Sequence, residues 1–389
     1  MKAPRVSTAR HSSLWLGRYC GAVTDTPYLS VDPTRLDANL DAMATHASQC
    51  GLDLRPHAKT HKCIEIARRQ MAAGAVGLTV ATIGEAEVFA AAAEQTGCRD
   101  LFIAYPLWMT DTKGARLRAL ASQVALRVGI DSVDGARRLA AETVQHGVAV
   151  EAIVEIDSGH HRTGVPPAEA GAIAAQALDA GLEVVGVFTF PGHSYGPGTV
   201  RDAAARAESD ALSQAAQSLR AHEIEPRVVS GGSTPTATLS HGDPLTEIRP
   251  GVYPFNDAQQ VEIGSCGFAE VALSAVTTVV RRDRNRVVVD AGSKIISADK
   301  PAWATGFGRV LDAPSARIVA LSEHHATIEY PVSSESIESA DNAIPTVGSR
   351  IRIVPNHVCT AVNLVDELIV DAAPGRFLSW PVAARGRNS

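Results

Sequence analysis

A lysine between two histidines is the first group in this sequence that could do chemistry. His57, Lys59 and His61 occur in the run RPHAKTHK, which follows a short apolar-edged segment, 51–54, and precedes a segment with helical spacing, 63–70. α/β barrels place catalytic groups where a strand ends, and this lysine is predicted to lie at such an end. Desolvation or nearby positive charge can remove its proton, and the neutral amine can then form a Schiff base with an aldehyde. The alternative is a solvated basic turn, the usual outcome for a run of charges.

A second candidate is the small-residue run SGGSTPT at 230–236. Small residues allow backbone N–H groups to approach an anion, and the serine and threonine hydroxyls add donors. A phosphate group at the end of a late strand is a recurring feature of barrels. Arg249 and Tyr253, further along the chain, could reach the same anion. An ordinary glycine-rich turn is the alternative, but a phosphate site and a Schiff-base lysine on one barrel together suggest pyridoxal phosphate.

A third candidate is the pair His357 and Cys359, in the run PNHVCT. On an extended segment, residues two apart point to the same face. Imidazole and thiolate both bind zinc or a similar borderline metal. Two protein ligands leave positions open for water and substrate, which suits a catalytic metal ion. Taken alone, the pair is also compatible with a structural role that involves no metal.

The segments between these groups predict the scaffold that positions them. From about Tyr28 to Asp257, short and almost wholly apolar runs alternate with alanine-rich stretches of helical spacing, which is typical of a parallel sheet covered by helices. About eight such units favour a closed (β/α)8 barrel over an open sheet. The dinucleotide-binding alternative lacks its signature, because no GxGxxG follows the first run. We predict a barrel over residues 26–258, with its first strand at 28–31.

After about Gln260 the pattern changes to short β-branched runs separated by Gly, Asp and Pro turns. This composition is typical of an all-β structure. We therefore predict a second, mostly β domain over residues 259–389 that carries the candidate metal pair. We expect residues 1–25 to join this second domain.

Composition excludes several classes of function. The chain has 389 residues, of which 45% are hydrophobic, and a formal net charge of -6, which allows one large and one smaller domain. No basic stripe is present, so nucleic acid is not an expected partner. The six cysteines include no CxxC pair and do not resemble a disulfide framework. We see no secretory signal and no apolar run of membrane-spanning length, so we expect a cytoplasmic protein.

Taken together, these motifs resemble those of a known family. The runs RPHAKTHK, GGSTPT, EIRPGVYPFND and PNHVC are similar to those of the metal-activated D-serine dehydratases and D-threonine aldolases, and the resemblance spans about Thr26 to Gly386. Members of that family have the alanine-racemase-like fold of fold-type III pyridoxal-phosphate enzymes. The resemblance therefore implies a (β/α)8 barrel followed by a second, mostly β domain, with pyridoxal 5′-phosphate, a divalent metal ion and a small D-amino-acid substrate. Relatives with this fold usually form dimers, so we also expect a homodimer.

The resemblance also implies roles for individual residues. Lys59 would form the Schiff base with the cofactor and take the Cα proton of the substrate. Arg162 is expected near the cofactor ring and Tyr195 at the pyridine nitrogen; a surface ion pair and a core tyrosine are the respective alternatives. The expected cofactor-binding residues are Lys59, His57, Arg162, Tyr195, Gly231, Gly232, Ser233, Thr234 and Tyr253, and the expected metal ligands are His357 and Cys359.

The second metal ligand bears on the type of reaction. D-Threonine aldolases of this family typically have His-x-Asp, whereas Cys359 gives this chain the His-x-Cys of the D-serine and D-hydroxyaspartate dehydratases. That favours dehydration of D-serine, D-threonine or D-3-hydroxyaspartate to a 2-oxo acid and ammonia, with zinc preferred over manganese or magnesium. Asn363 and the tail 380–386 resemble the aldolases instead, so retro-aldol cleavage to glycine and an aldehyde, with His61 as the catalytic base, stays open.

Two further alternatives are weaker. An amino-acid racemase needs a second acid–base group on the opposite face of the cofactor, and we identify no tyrosine in a suitable context. A non-catalytic carrier of pyridoxal phosphate is usually a single barrel, so it would need neither the second domain nor the metal pair. Sensitivity to a chelator would separate both alternatives from a metal-dependent lyase.

Overall fold

The computed structural model of the protein describes residues 18–20, 25–331, 344–373 and 375–389. Within these residues the chain forms one parallel sheet and one mainly antiparallel sheet. The strands are β1 (Arg18–Cys20), β2 (Tyr28–Val31), β3 (Asp53–Leu54), β4 (Leu78–Val80), β5 (Asp100–Pro106), β6 (Ala125–Ile130), β7 (Glu151–Ile156), β8 (Glu183–Thr189), β9 (Val228–Gly231), β10 (Glu247–Ile248), β11 (Leu273–Asp283), β12 (Arg286–Val289), β13 (Gly308–Val310), β14 (Ala313–Leu321), β15 (Ala326–Glu329), β16 (Arg350–Pro355), β17 (Glu367–Ala373) and β18 (Arg376–Pro381).

Strands β3 to β10 form a parallel barrel. They pair in the order β3-β10-β9-β8-β7-β6-β5-β4. The two ends of this series are joined just beyond β3, where the N–H of Thr79 donates to the carbonyl of Pro56 (2.8 Å) and the N–H of Ala58 donates to the carbonyl of Thr79 (2.8 Å). The predicted barrel followed by a second, β-rich unit is therefore confirmed.

Helices cover the outside of the barrel, as expected for a parallel sheet whose strands are buried on both faces. Several begin at a side chain that caps the helix: Thr82, Thr110 and Ser132 each accept a hydrogen bond from an N–H of the first turn. Such caps satisfy donors that a helix start otherwise leaves unpaired. The described α-helices are α1 (Pro33–Gln49), α2 (Ile64–Ala72), α3 (Ile83–Ala91), α4 (Ala93–Thr96), α5 (Asp111–Ala121), α6 (Val133–Glu142), α7 (Ala170–Asp179), α8 (Val200–Ala221), α9 (Thr234–Ala237), α10 (Ala258–Glu262), α11 (Ser293–Ile296) and α12 (Val358–Val362).

The remaining strands form the second sheet, in the order β1-β18-β17-β2-β11-β12-β15-β14-β13-β16. Because β11 also pairs with β16, the part from β11 to β16 closes on itself. Of the N-terminal residues 1–25, the structure describes 18–20 and 25, and the backbone of 18–20 pairs antiparallel with β18. The rest of that segment lies outside the described residues.

The strand predicted to open the barrel, β2, belongs to the second sheet instead. It pairs antiparallel with β11, where Val31 faces Leu273, and parallel with β17. Its residues alternate between half-buried and buried, which suits a sheet with only one face on the core. A short apolar run followed by a helix predicts a strand but not which sheet it pairs with, and this prediction was wrong for that reason. The barrel begins at β3.

Charged groups are buried inside the barrel, beneath its open end. Glu247 accepts hydrogen bonds from Arg55 Nε (2.6 Å) and Ser230 Oγ (2.6 Å). Buried charges of this kind persist where they are paired and hydrogen-bonded. The guanidinium carbon of Arg249 lies 5.3 Å and 5.2 Å from the ring centroids of Phe102 and Phe188. These contacts hold the buried charged groups in place beneath the open end of the barrel.

None of the described helices has the length and apolar character needed to cross a membrane.

Candidate active site

A cavity of about 540 Å³ opens at the carboxyl ends of the barrel strands. This volume is ordinary for a site that encloses a small molecule. The loops that follow β3, β8, β9 and β10 line one side, and segments that follow α11 and β16 line the other. The predicted site residues that line it are His57, Lys59, Tyr195, Ser233, His357 and Cys359.

Lys59 enters the cavity from the turn between β3 and α2. Its Nζ lies 5.2 Å from the centroid of the Phe190 ring, which also lines the cavity. Burial lowers the pKa of Lys59; the charge of Cys359 opposes this change, whereas that of Arg162 adds to it. The neutral amine, which is the form that attacks an aldehyde, is therefore more populated than in a solvated lysine.

The two histidines that flank Lys59 occupy different positions. His57 lines the cavity, and burial together with the charge of Lys59 holds its pKa well below the usual range. His61 is fully buried and does not line the cavity: its Nε2 lies 3.1 Å from Gln70 Oε1, and its Nδ1 accepts the N–H of Cys63 (3.1 Å). Burial lowers the pKa of His61 to about 4. The structure does not bring His61 to the site, so we assign it no catalytic role.

The predicted phosphate loop, 230–236, meets the cavity at Ser233. The N–H of Gly232 donates to Glu208 Oε1 (2.6 Å), and the N–H of Ser233 donates to Thr236 Oγ1 (2.9 Å). Two amides that we expected to face an anion therefore have partners within the protein. Ser233 is the residue of this loop that lines the cavity, and its Oγ lies 3.1 Å from Ser194 Oγ and 3.1 Å from Thr236 Oγ1.

The other residues predicted around the phosphate form a layer behind the cavity wall. A Cβ at Gly231 would come within 2.5 Å of Glu208 Oε1, so only glycine fits there without a shift. Thr234 Oγ1 accepts hydrogen bonds from the N–H groups of Val252 (2.9 Å) and Tyr253 (3.1 Å). Val252 lines the cavity whereas Gly231, Thr234 and Tyr253 do not. Their contacts hold the loop after β9 against the segment after β10.

Tyr195 and Arg162 both lie near the ring of Phe190. The Tyr195 ring centroid is 6.4 Å from that of Phe190, and burial raises the pKa of Tyr195, which keeps the phenol protonated and able to donate a hydrogen bond. The guanidinium carbon of Arg162 lies 5.4 Å from the Phe190 centroid. Arg162 is exposed and lines a small neighbouring cleft with Glu155, so Tyr195 reaches the main cavity and Arg162 stands beside it.

His357 and Cys359 both line the cavity, but not on the extended segment that we expected. His357 has an extended backbone at the end of β16, and Cys359 lies in the first turn of α12. The helix begins between them, where a carboxylate oxygen of Asp257 accepts the N–H of Val358 (3.0 Å). The pair still shares one site, because both residues line the same cavity.

The surroundings of the pair favour a thiolate on Cys359 and an imidazolium on His357. Burial alone would lower the pKa of His357, but the charge of Cys359 and hydrogen bonds to Cys359 and Asp299 raise it to about 10. Burial, the largest single influence, would raise the pKa of Cys359, but the charges of His357 and Lys59 and hydrogen bonds from His357 and Thr60 together lower it. His357 Nδ1 lies 2.6 Å from Asp299 Oδ2, and Thr60 Oγ1 lies 3.2 Å from Cys359 Sγ.

The pair offers two protein ligands. In the described ranges, no group of three or more His, Cys, Asp or Glu side chains is arranged to hold a metal ion. Because a carboxylate accepts hydrogen bonds, Asp299 keeps the proton on Nδ1 of His357, and a metal ion would replace the second proton, on Nε2. Two protein ligands would leave the remaining positions to water or substrate.

Several cavity residues escaped the sequence analysis. Phe190 directly follows β8, so its place at a strand end could have indicated it. Gln259 lies in α10, and Asp299, Lys300 and Trp303 lie in the segment after α11. No motif marks these four residues, since they reach the site only because the second sheet packs against the open end of the barrel.

The residues present fit both groups that the sequence resemblance implies. Lys59 supplies an amine with a lowered pKa for the aldehyde of pyridoxal phosphate, and Ser233 supplies a hydroxyl donor. Gly251 keeps the wall thin, because a Cβ there would come within 3.0 Å of Thr60 Oγ1. Thiolate and imidazole from Cys359 and His357 suit a borderline divalent metal.

Comparison with known proteins supports the same assignment. Residues 31–258 match the family described as alanine racemase, N-terminal domain, and residues 272–370 match the putative serine dehydratase domain. The D-threo-3-hydroxyaspartate dehydratase of Delftia sp. (strain HT23) is 35% identical over 371 residues, which are 92% of this chain and 96% of that protein. The D-threonine aldolase of Arthrobacter sp. is 30% identical over 374 residues, 94% of each chain.

A solved structure agrees. A cysteine-to-alanine variant of D-threo-3-hydroxyaspartate dehydratase, in its metal-free form, has a TM-score of 0.83 and 34% identity, and the match covers 92% of this chain and 97% of that one. The family expected from the motifs is thereby confirmed, and with it the expectation of an enzyme. The chain belongs to the D-serine dehydratase and D-threonine aldolase family of alanine-racemase-like enzymes, which implies pyridoxal phosphate and a metal ion as its cofactors.

Proposed function

We propose that this protein is a pyridoxal-phosphate- and divalent-metal-dependent lyase that dehydrates D-3-hydroxy amino acids and releases a 2-oxo acid and ammonia. The observation that carries the proposal is that one cavity has Lys59 on its barrel side and the His357–Cys359 pair on its opposite side. An amino acid with a β-hydroxyl group can then meet an amine at one end and a metal site at the other. The relative from Delftia, a dehydratase by name, supports this reaction.

Lys59 would hold the cofactor aldehyde, Ser233 would lie at its phosphate, and Tyr195 would donate to its ring nitrogen. Bound pyridoxal phosphate supplies an electron sink for negative charge at Cα, and a divalent cation at the pair supplies a Lewis acid for the β-hydroxyl group. Arg162, beside the cavity, would add positive charge near the ring.

Lys59 is the proton carrier of the reaction. When its amine is not bound to an aldehyde, Lys59 could accept the Cα proton as a general base, a contribution that is typically worth about 10²–10⁴ in rate. Burial favours its neutral form, because it leaves the ammonium poorly solvated. The same environment limits the access of bulk water to the reacting carbon.

His357 and Cys359 would orient the leaving hydroxyl group. The Asp299 carboxylate orients the His357 ring and Thr60 contacts the Cys359 sulfur, so a neighbouring side chain holds each metal ligand in place. A thiolate and an imidazole together favour zinc, whereas manganese and magnesium prefer oxygen ligands. We therefore propose zinc as the resident metal.

Retro-aldol cleavage is the second candidate, and the similarity to the D-threonine aldolase of Arthrobacter sp. favours it. It requires a base for the β-hydroxyl proton. The base predicted from the sequence, His61, does not line the cavity, whereas His57 does and is kept neutral by burial. The alternative thus depends on a different histidine from the one first considered.

Product analysis tests the proposal directly. The cofactor-loaded, zinc-loaded protein is incubated with D-threonine, D-serine and D-threo-3-hydroxyaspartate, and 2-oxo acids, ammonia, glycine and aldehydes are assayed together. We expect 2-oxo acid and ammonia in equal amounts, loss of activity with a chelator, and recovery with added zinc. Glycine with an aldehyde would establish the aldolase instead, and turnover that survives the chelator would contradict both.

Two variants complete this test. Cys359→Ala should remove the metal-dependent activity while Lys59 still binds the cofactor, as seen in the visible absorption of the loaded protein. Lys59→Ala should lose the absorption, and its activity should fall by about a hundredfold or more.

We further propose that the protein is a homodimer in the cytoplasm, as predicted from the sequence. Light scattering on the loaded protein would test the dimer.

A further inference from the structure

The segment 299–303 is fixed against the open end of the barrel. Asn356 Nδ2 donates to the carbonyl of Asp299 (3.1 Å), and the carboxylate of Asp299 contacts His357. At the other end, the indole N–H of Trp303 donates to the carbonyl of Tyr195 (3.1 Å). The segment is therefore held at one end to the turn that carries His357 and Cys359 (the metal turn) and at the other end to the loop that follows β8.

Lys300 is the cation of this segment, and it lines the cavity. Its Nζ lies 4.9 Å from the centroid of the Phe307 ring. Among the described residues no Asp or Glu forms an ion pair with it, unlike Lys294, whose Nζ lies 2.8 Å from Glu323 Oε2. An aromatic face holds an ammonium group in place without neutralising it. The charge of Lys300 thus stays available to a ligand.

Two other charged groups of the cavity, Arg249 and Asp299, already have partners, and Lys59 would hold the cofactor aldehyde. Arg249 donates from Nε to Ser230 Oγ (2.8 Å) and to the carbonyl of Thr189. Asp299, the acidic neighbour of Lys300, is bound by His357 Nδ1 at 2.6 Å, which reduces its repulsion of an incoming anion. Lys300 is thus the cation that a carboxylate entering beside the metal turn would meet.

We infer that Lys300 binds the side-chain carboxylate of a dicarboxylic D-3-hydroxy amino acid and so selects substrates of the 3-hydroxyaspartate class. The inference rests on the proposed function, because it places the β-hydroxyl group at His357 and Cys359. Lys300 follows Asp299, which contacts His357, so the substituent beyond the β-carbon lies on the side of the cavity where Lys300 stands. A substrate with a hydrogen or a methyl group there makes no use of this charge.

The test is ligand binding to the holoenzyme, which does not require turnover. D-Aspartate and D-alanine both lack the β-hydroxyl group, and they differ in the carboxylate that Lys300 is inferred to bind. Their dissociation constants are measured by calorimetry for the wild type, Lys300→Met, Lys300→Arg and the matched surface control Lys294→Met. Because no lyase step is involved, the result stands even if the dehydratase reaction itself is not found.

Loss of a charge-assisted hydrogen bond should weaken D-aspartate binding about ten- to a hundredfold in Lys300→Met. D-Alanine binding should change far less, Lys300→Arg should recover most of the affinity, and Lys294→Met should match the wild type. An equal loss for both ligands would mean that Lys300 binds the α-carboxylate, and no loss for either would mean that it binds no substrate group. Each of these two results overturns the inference.

In turnover, Lys300→Met should raise KM for D-threo-3-hydroxyaspartate more than it lowers kcat, and KM for D-serine should change less. A fall confined to kcat for both substrates would point to disturbance of the adjacent metal turn and would contradict selection by Lys300. If the wild type turns over neither substrate, the proposed function fails, and the binding comparison still decides the role of Lys300.

Discussion

The carboxylate of Asp257 accepts a hydrogen bond from the backbone N–H of Val358, the residue that separates His357 from Cys359 (3.0 Å). Its other oxygen accepts the N–H of Gln260 at the start of α10 (3.0 Å). The side chain is 1% exposed. One buried acid therefore ties the segment that leaves the barrel to the turn that carries both predicted metal ligands.

Replacing Asp257 with alanine should weaken zinc binding about ten- to a hundredfold, because groups that orient metal ligands typically contribute that much. Competition with a chromophoric chelator measures the affinity. Asp32→Ala is the matched control: Asp32 caps α1 by accepting the N–H groups of Thr34 and Arg35, and it does not line the cavity. Each substitution should also lower the free energy of unfolding by about 1 kcal/mol, because it removes a helix N-cap. Equal zinc affinity in the two variants would contradict a positioning role for Asp257.

The contact between Asp299 and His357 predicts a second effect on the metal. Asp299→Ala frees the imidazole to rotate and removes the acceptor for Nδ1–H, so zinc affinity should fall about tenfold or more. Asp312→Ala is the control, since Asp312 forms an exposed ion pair with Arg352 (2.6 Å). Cobalt(II) substitution reports the change directly, because its visible spectrum depends on the ligand field. An unaltered spectrum and affinity in Asp299→Ala would show that the metal does not use His357 as proposed.

The lowered pKa of Lys59 predicts how cofactor loading depends on pH. Only the neutral amine attacks the aldehyde, so the loading rate should rise with pH and level off once Lys59 is deprotonated. Burial lowers the pKa of Lys59, so the midpoint should lie below the value of about 10.4 for a solvated lysine. Stopped-flow absorbance with the apoprotein measures it. A midpoint at or above the ordinary value would contradict the burial argument, and Lys59→Ala should show no such phase.

Glu208 predicts a pH dependence of stability. Burial raises its pKa from 4.5 to about 7, so between these values the folded chain retains a proton that the unfolded chain has released. Stability from this group is therefore greatest below pH 4.5 and falls as pH rises to 7, by about 3 kcal/mol in total. Glu208→Gln keeps an acceptor for the N–H of Gly232 and removes the titration. Urea denaturation at several pH values should show the free energy of unfolding of the variant increasing relative to that of the wild type as pH rises. If the two proteins show the same dependence of stability on pH, this assignment is refuted.

The sequence predicted the parts of the site that lie in motifs, and the fold that carries them. Lys59, Tyr195, Ser233, His357 and Cys359 all line one cavity. Local motifs indicated Lys59, Ser233 and the His357–Cys359 pair, and the family resemblance indicated Tyr195. The family and the barrel with a second, β-rich unit were also confirmed.

What the sequence did not reveal depends on contacts between distant segments. His61 has the same local context as His57, yet it turns away to bond with Gln70 on α2. The amide of Gly232 was expected to be available to an anion, but its N–H donates to Glu208, in the middle of α8. Lys300 and Trp303 reach the cavity only through the packing of the second sheet. Spacing along the chain does not indicate which distant segments come into contact in the fold.

The place of β2 has a consequence for how the chain folds during synthesis. Its partners β11 and β17 lie more than two hundred residues further along, so β2 leaves the ribosome long before either exists. An apolar strand without neighbours is a template for wrong pairing. Strands β4 to β9, by contrast, each pair with the next strand of the chain as it emerges. We expect the slow step of folding to be the capture of β2 by the second sheet, after the barrel has formed.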